Sequence, residues 1–212
     1  LRDDVQWHDG EPFTAEDVAF TYRLMLDPGY DGTRTSNLMS IEGAEAYRAG
    51  ESADLGIEVI DSHTLRLTTS YPDAVLPEAV FKELWILPEH VLGEVPAADV
   101  DRQPLAQNPT VGTGPFQFVR YAEGQYIEFS KFADYFRGEP CLDSVVVKVV
   151  SPSVALAQLQ TGELDITAGT GIGSLEPRDV ERVQSIPGVE PVIYTTTGIQ
   201  AMSINLRKPY LQ

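Results

Sequence analysis

Three blocks between Val111 and Asp165 constrain this chain more than any other stretch. Val-Gly-Thr-Gly-Pro-Phe occupies 111–116, Ala-Asp-Tyr-Phe-Arg-Gly-Glu-Pro-Cys-Leu-Asp follows at 133–143, and Ala-Leu-Ala-Gln-Leu-Gln-Thr-Gly-Glu-Leu-Asp closes at 155–165. Between the first two lies a hairpin signal. Phe116 and Phe118, then Ile127 and Phe129, alternate with polar neighbours across the turn residues Glu123-Gly124-Gln125. A third strand is expected from Val145 to Val150. Pro152 and Ser153 then open a helix that Gly162 closes, because glycine accepts the left-handed conformation that ends many helices. The chain is thereby committed to alternating strands and helices.

In order and spacing these blocks resemble the family 5 extracellular solute-binding proteins, the peptide- and nickel-binding receptors of ABC importers. Leu1-Arg-Asp-Asp-Val-Gln-Trp-His-Asp-Gly-Glu-Pro-Phe-Thr-Ala-Glu-Asp-Val18 is similar to that family's N-terminal signature, and Ser203-Ile-Asn-Leu-Arg-Lys-Pro209 to its strand end. Phe136 stands where the family usually has Trp, and Ala133 where it has Asn. The resemblance implies an α/β class II periplasmic-binding-protein-like fold, present in part: a small second domain plus part of the first, with the third missing. It divides the chain into a small α+β unit at 1–111 and part of an α/β domain with a mixed sheet at 112–212. Ala97 to Thr110, polar and without period, reads as the connection. Both termini read as cuts in a longer receptor.

Composition narrows the partners. Fifteen basic residues face 32 acidic ones, a net charge of −17, which repels nucleic acid and anionic membrane. Cys141 is the only cysteine, so no intramolecular disulfide forms.

Leu1 to His8 alternates weakly and predicts a strand, stopped by Asp9-Gly10. The clearest helix start follows. Thr14 is the N-cap, Glu16 and Asp17 place negative charge in the first turn, and Phe13 can staple onto Val18. Ala15, Val18, Ala19, Tyr22, Met25 and Leu26 share one face before Asp27-Pro28-Gly29 stops the helix. A short helix is expected around 41–48, strands at 56–60 and 64–69, and a helix at 73–81 interrupted near Pro77. Leu84 to Leu87 reads as a short apolar strand, and Pro88 opens another helical turn. Beyond the organising blocks, 179–186 reads as a helix, and 189–194 and 199–206 as strands.

Catalytic chemistry finds little support. His8, His63 and His90 sit on separate elements, without the clustering a transition-metal site needs, so neither a metal site nor a cofactor is expected. No Gly-x-Ser-x-Gly elbow occurs, and Gly112-Thr-Gly114 lacks the lysine and length of a phosphate loop. Glu163 and Asp165, two apart, could share a face for acid–base work, but the resemblance makes Gly-Glu-Leu-Asp an architectural helix-to-strand junction.

The resemblance implies a non-catalytic receptor that captures an oligopeptide, dipeptide or related solute, including nickel in a chelate, and hands it to an ABC permease. The intact protein would work in the periplasm or outside the cell, anchored as a lipoprotein. Two stretches match ligand-facing positions of the family: Thr196, Thr197, Gly198, Gln200 and Ala201, and the Lys82-Glu83-Leu84-Trp85 segment, where Trp85 is either a flat wall for a side chain or core. The half-cleft left open in a fragment is expected to pair with another molecule. Two rivals stay open: a ligand-sensing domain of a cytoplasmic regulator, and an acidic-dyad hydrolase.

Overall fold

The computed structural model describes residues 1–167 and 179–192 and divides the chain into two compact units, Leu1–Lys148 and Val149–Gln212. Helix α1, Ala15–Leu26, organises the first. Thr14 caps it in extended backbone, and the Asp17 carboxylate reaches back to accept the Thr14 N–H at 2.8 Å, the reciprocal half of a capping box. All six residues expected on its apolar face are buried, with Ala15, Ala19 and Leu26 wholly inaccessible. Burial pushes the Tyr22 phenol up to about 12.

Around α1 pack a 3₁₀ turn at Thr35–Leu38, the short helix α2 (Ala44–Arg48) and a hairpin of β1 (Ile57–Asp61) and β2 (Thr64–Leu67). The hairpin turns where Asp61 accepts the His63 N–H at 2.8 Å, an Asx turn. Leu65 and Leu67 point to the core while Thr64 and Arg66 stay exposed, the alternation the sequence shows. A π-helical turn at Pro77–Lys82 follows, its Val80 fully buried, then α3 (Glu89–Leu92).

Several expectations are corrected here. Leu1 to His8 is no strand: its one β contact among the described residues is an isolated bridge between Gln6 and Pro12. Leu84–Leu87 forms no strand either. Leu84 donates its N–H to Val80 O at 3.2 Å and Leu87 its own to the Thr21 hydroxyl of α1 at 2.8 Å, neither of them to a neighbouring strand. Residues 97–110 hold a 3₁₀ turn at Ala97–Arg102 and α4 (Pro104–Gln107), each begun at a proline that presets φ. The first unit ends at Lys148 and the second begins at Val149. His8 binds the stretch beyond Val111 to the N-terminal segment, donating its N–H to Gly112 O at 2.8 Å and bonding Gly114 O through Nε2 at 2.9 Å.

That stretch leads into an antiparallel sheet, β3 (Phe116–Ala122), β4 (Tyr126–Lys131) and β5 (Ser144–Lys148), in the order β3-β4-β5. The expected hairpin is present, with Gly124 at φ 67° in its turn. Phe118 opposes Phe129 with ring centroids 6.2 Å apart, and a register shift follows between Phe118 and Arg120. Arg120 pairs with Glu128 at 2.7 Å, and Lys131 sits between Glu139 and Asp143 at 2.8 and 2.9 Å. Among the described residues the sheet is wholly antiparallel; the mixed sheet was expected to draw on strands at 189–194 and 199–206, most of which lie outside them.

In the second unit, α5 (Pro152–Thr161) ends at Gly162 with φ 74°, as the glycine predicts. Leu156 and Leu159 bury against Val183 of α6 (Val180–Gln184) and Ile186. Val189 to Val192 is not a strand.

Candidate binding site and family

The site is built outward from two polar residues inside the apolar face of α1. Asp17 and Thr21 lie one turn apart and are both buried. The Thr21 hydroxyl donates to Asp17 O at 2.8 Å, the i−4 carbonyl, and accepts the Leu87 N–H at 2.8 Å. One oxygen of the Asp17 carboxylate caps α1, and the other accepts the Glu89 N–H at 3.0 Å. The Trp7 indole N–H approaches the same carboxylate at 3.4 Å. The oxygens of this buried side chain thus find their hydrogen-bond partners within the protein itself. Beside it, burial and the neighbouring Glu16 and Asp17 push the Glu89 carboxyl up.

These bonds fix the segment carrying Trp85 from its C-terminal side. From the other side Arg34, at φ 69° the one non-glycine with positive φ among the described residues, donates to Glu83 O at 2.6 Å and to the Glu83 carboxylate at 2.7 Å. Asn37 donates to Ala79 O at 2.9 Å. Lys82 pairs with Glu78, and Leu84 turns into the core. Trp85 is left projecting, 85% exposed. That exposure sets Trp85 apart from Leu84 and Ile86 on either side, which pack on the buried cluster.

Trp85 borders a groove of 430 Å³ whose other walls include Trp7, Leu87, Leu105, Pro109 and Val111. Trp7 forms the floor, 2% exposed and packed on Phe13 with ring centroids 5.7 Å apart. The groove thus combines apolar walls with Gly112 and Thr113, a mixture suited to a side chain and its adjoining peptide group. Thr196, Thr197, Gly198, Gln200 and Ala201 lie outside the described residues.

The remaining candidates are scattered. His8 faces Gly114, His63 contacts Ser62 at the β1–β2 turn, and His90 pairs with Asp9 at 2.9 Å. Glu163 and Asp165 are both exposed, in a turn past Gly162 and not on a strand. Sequence reasoning read Asp17 as a first-turn negative charge and passed over Thr21; their visible signal is a polar pair four apart beside the apolar stripe.

Comparison with known proteins agrees with this architecture. The family model for bacterial extracellular solute-binding proteins, family 5 Middle, matches residues 1–212. The oligopeptide-binding protein AppA of Bacillus subtilis (strain 168) is 33% identical over 166 residues, covering 78% of this chain and 28% of AppA. The structure of Bacillus subtilis AppA in complex with a nonapeptide superposes with a TM-score of 0.75 at 29% identity, over 88% of this chain and 34% of that one. NikZ from Campylobacter jejuni in complex with Ni(L-His) matches with a TM-score of 0.65 at 28% identity, over 78% of this chain and 30% of NikZ. The chain therefore spans about a third of the length of these relatives and has in part their α/β fold. It belongs to the bacterial extracellular solute-binding proteins of family 5.

Proposed function

We propose that this chain is part of the substrate-binding component of an ABC importer, non-catalytic, capturing oligopeptides or a related solute outside the membrane and delivering them to a permease. The observation that carries the reading is Trp85, exposed on a segment clamped at both ends by hydrogen bonds to α1 and Arg34. A Trp side chain offers roughly 150–250 Å² of contact, and holding it rigid in advance removes ordering cost from the binding step. Its counterpart on the ligand is an apolar or aromatic side chain of a peptide. Thr196, Thr197, Gly198, Gln200 and Ala201 contribute further contacts through backbone and hydroxyl groups, replacing the hydrogen bonds a peptide loses on leaving water. In the manner of NikZ, a metal would enter as a chelate, not as a resident ion.

The intact protein is periplasmic or extracellular and lipid-anchored. Calorimetry on it with a defined peptide pool tests the reading. We expect Trp85→Ala to weaken binding at least tenfold, about 1.4 kcal/mol, with the Tm unchanged. Unaltered affinity would remove Trp85 from the site. The 212-residue segment alone should bind the same peptides weakly, since it keeps the association cost while offering only part of the contacts, and its uncovered surface should self-associate in size-exclusion chromatography.

A further inference from the structure

His8 holds the Gly112-Thr-Gly114 segment through two of its carbonyls. Its backbone N–H donates to Gly112 O at 2.8 Å, and its ring bonds Gly114 O through Nε2 at 2.9 Å. A carbonyl only accepts, so Nε2 carries the proton of the neutral ring. The ring meets Phe132 edge-on with centroids 5.0 Å apart, and a Cβ placed on Gly112 would stand 3.3 Å from its Cε1. Gly112 and Thr113 line the Trp85 groove, whereas His8 and Phe132 do not. The histidine therefore backs the segment from the side away from the groove. No described peptide bond is cis, and in a trans unit C=O and N–H point in opposite directions. With Gly112 O turned toward His8, the N–H of the same unit, that of Thr113, is turned away from it, to the groove side. Neither that N–H nor the Thr113 hydroxyl has a hydrogen-bond partner among the described residues.

We propose that the Thr113 N–H, with the hydroxyl beside it, takes a main-chain carbonyl of the bound peptide, and that His8 is the positioning residue that aims them. This rests on the peptide reading of the Trp85 groove and supplies the polar contact beside its apolar walls. A peptide leaving water needs its carbonyls bonded again, and a donor already fixed from behind adds no ordering cost when the ligand arrives. The charge of the surroundings narrows the acceptor further. The groove lining includes no cationic side chain, and the chain as a whole carries −17. A terminal carboxylate placed there would be desolvated without a counter-charge, so the group accepted is an uncharged carbonyl. The residue whose side chain meets Trp85 is accordingly internal to the peptide and not its last.

Residue-resolved hydrogen exchange on the intact protein tests it, free and saturated with an alanine peptide carrying one central phenylalanine, with binding followed by calorimetry. The Thr113 amide should exchange about tenfold slower or more in the complex. An equal slowing at Phe129 in β4 would mark a general tightening and overturn the assignment. His8→Ala should lose the protection at Thr113 and weaken binding, and His8→Gln, whose amide nitrogen can reach the same carbonyl, should restore both. A loss that Gln does not restore removes His8 from the positioning role. If His8→Ala does not fold, exchange in the unmutated protein decides. A Thr113 amide that stays fast while the peptide binds overturns the proposal and leaves the Trp85 reading standing; a peptide that does not bind overturns both. Tighter binding with the phenylalanine moved to the carboxyl end would overturn the internal placement.

Discussion

The α1 region and the β3–β5 sheet are both regular and both hydrogen-bonded, yet they are held in different ways. Around α1, Tyr22, Leu26, Leu38, Ile41 and Val80 are all at most 2% exposed and form one contiguous cluster. In the sheet no residue is fully buried: β4 is half-buried along its whole length, and Val119, Tyr121, Val146 and Val147 are exposed. The sheet's order rests on its ladder and on pairs across it, Phe118 with Phe129 and Arg120 with Glu128. Cross-strand pairs contribute roughly 0.2–1 kcal/mol each, whereas a buried leucine contributes several times that. Identical secondary structure can thus carry very different shares of stability.

The comparison breaks most sharply at Leu26. Leu26→Ala should cost about 2–5 kcal/mol, by lost transfer energy and a cavity; Phe129→Ala should cost distinctly less, and equal shifts of the urea midpoint would abolish the contrast. Next comes Asp17→Ala, which leaves the Thr14 and Glu89 N–H groups without their acceptor. An unsatisfied buried donor costs about 1–3 kcal/mol, and the loosened 84–88 segment should show as a change in Trp85 fluorescence. Thr14→Ala should cost about 0.5–2 kcal/mol. An unchanged melting temperature would place the start of α1 elsewhere.

The smallest effects belong to the surface. Arg120→Ala removes a pair whose arginine is 63% exposed, and such solvent-screened pairs contribute little, vanishing in high salt. Asp9 adds a small pH dependence. Partial burial acts to raise its carboxyl, but hydrogen bonds from His90 and the Glu11 N–H outweigh it and hold the group below the usual carboxylate range. A folded-state value below the unfolded one means the stabilisation is present above about pH 3.9 and is lost as pH falls through the folded value. Asp9→Asn should flatten that part of the acid limb of a stability–pH curve; an unaltered limb would show that the bond to His90 contributes nothing.

What was legible in the sequence follows the same physics. Helix α1 was readable in full, since a cap, a charged first turn and a single apolar face all lie within its own residues. So were the two hairpins and the Gly162 cap, each written locally. Leu1–His8 was misread from its weak alternation and Leu84–Leu87 from its short apolar run, because neither pattern shows what accepts a segment's hydrogen bonds. Leu87 and Glu89 bond to side chains 66 and 72 residues away, and no local pattern announces partners at that distance. The site shares the difficulty: the sequence marked Trp85, but its clamp is long-range.

The π-helical turn at Pro77–Lys82 has a consequence for how relatives of this protein can diverge. Each of its hydrogen-bonded rings holds one residue more than an α-helical ring, so the turn can lose that residue without losing helical form. Such a deletion would rotate everything downstream by roughly 100° about the local axis, at 3.6 residues per turn. Leu84 and Trp85 follow two and three residues after Lys82 and would swing together. A single-codon length change at this point would therefore re-aim Trp85 and draw Leu84 out of the buried cluster.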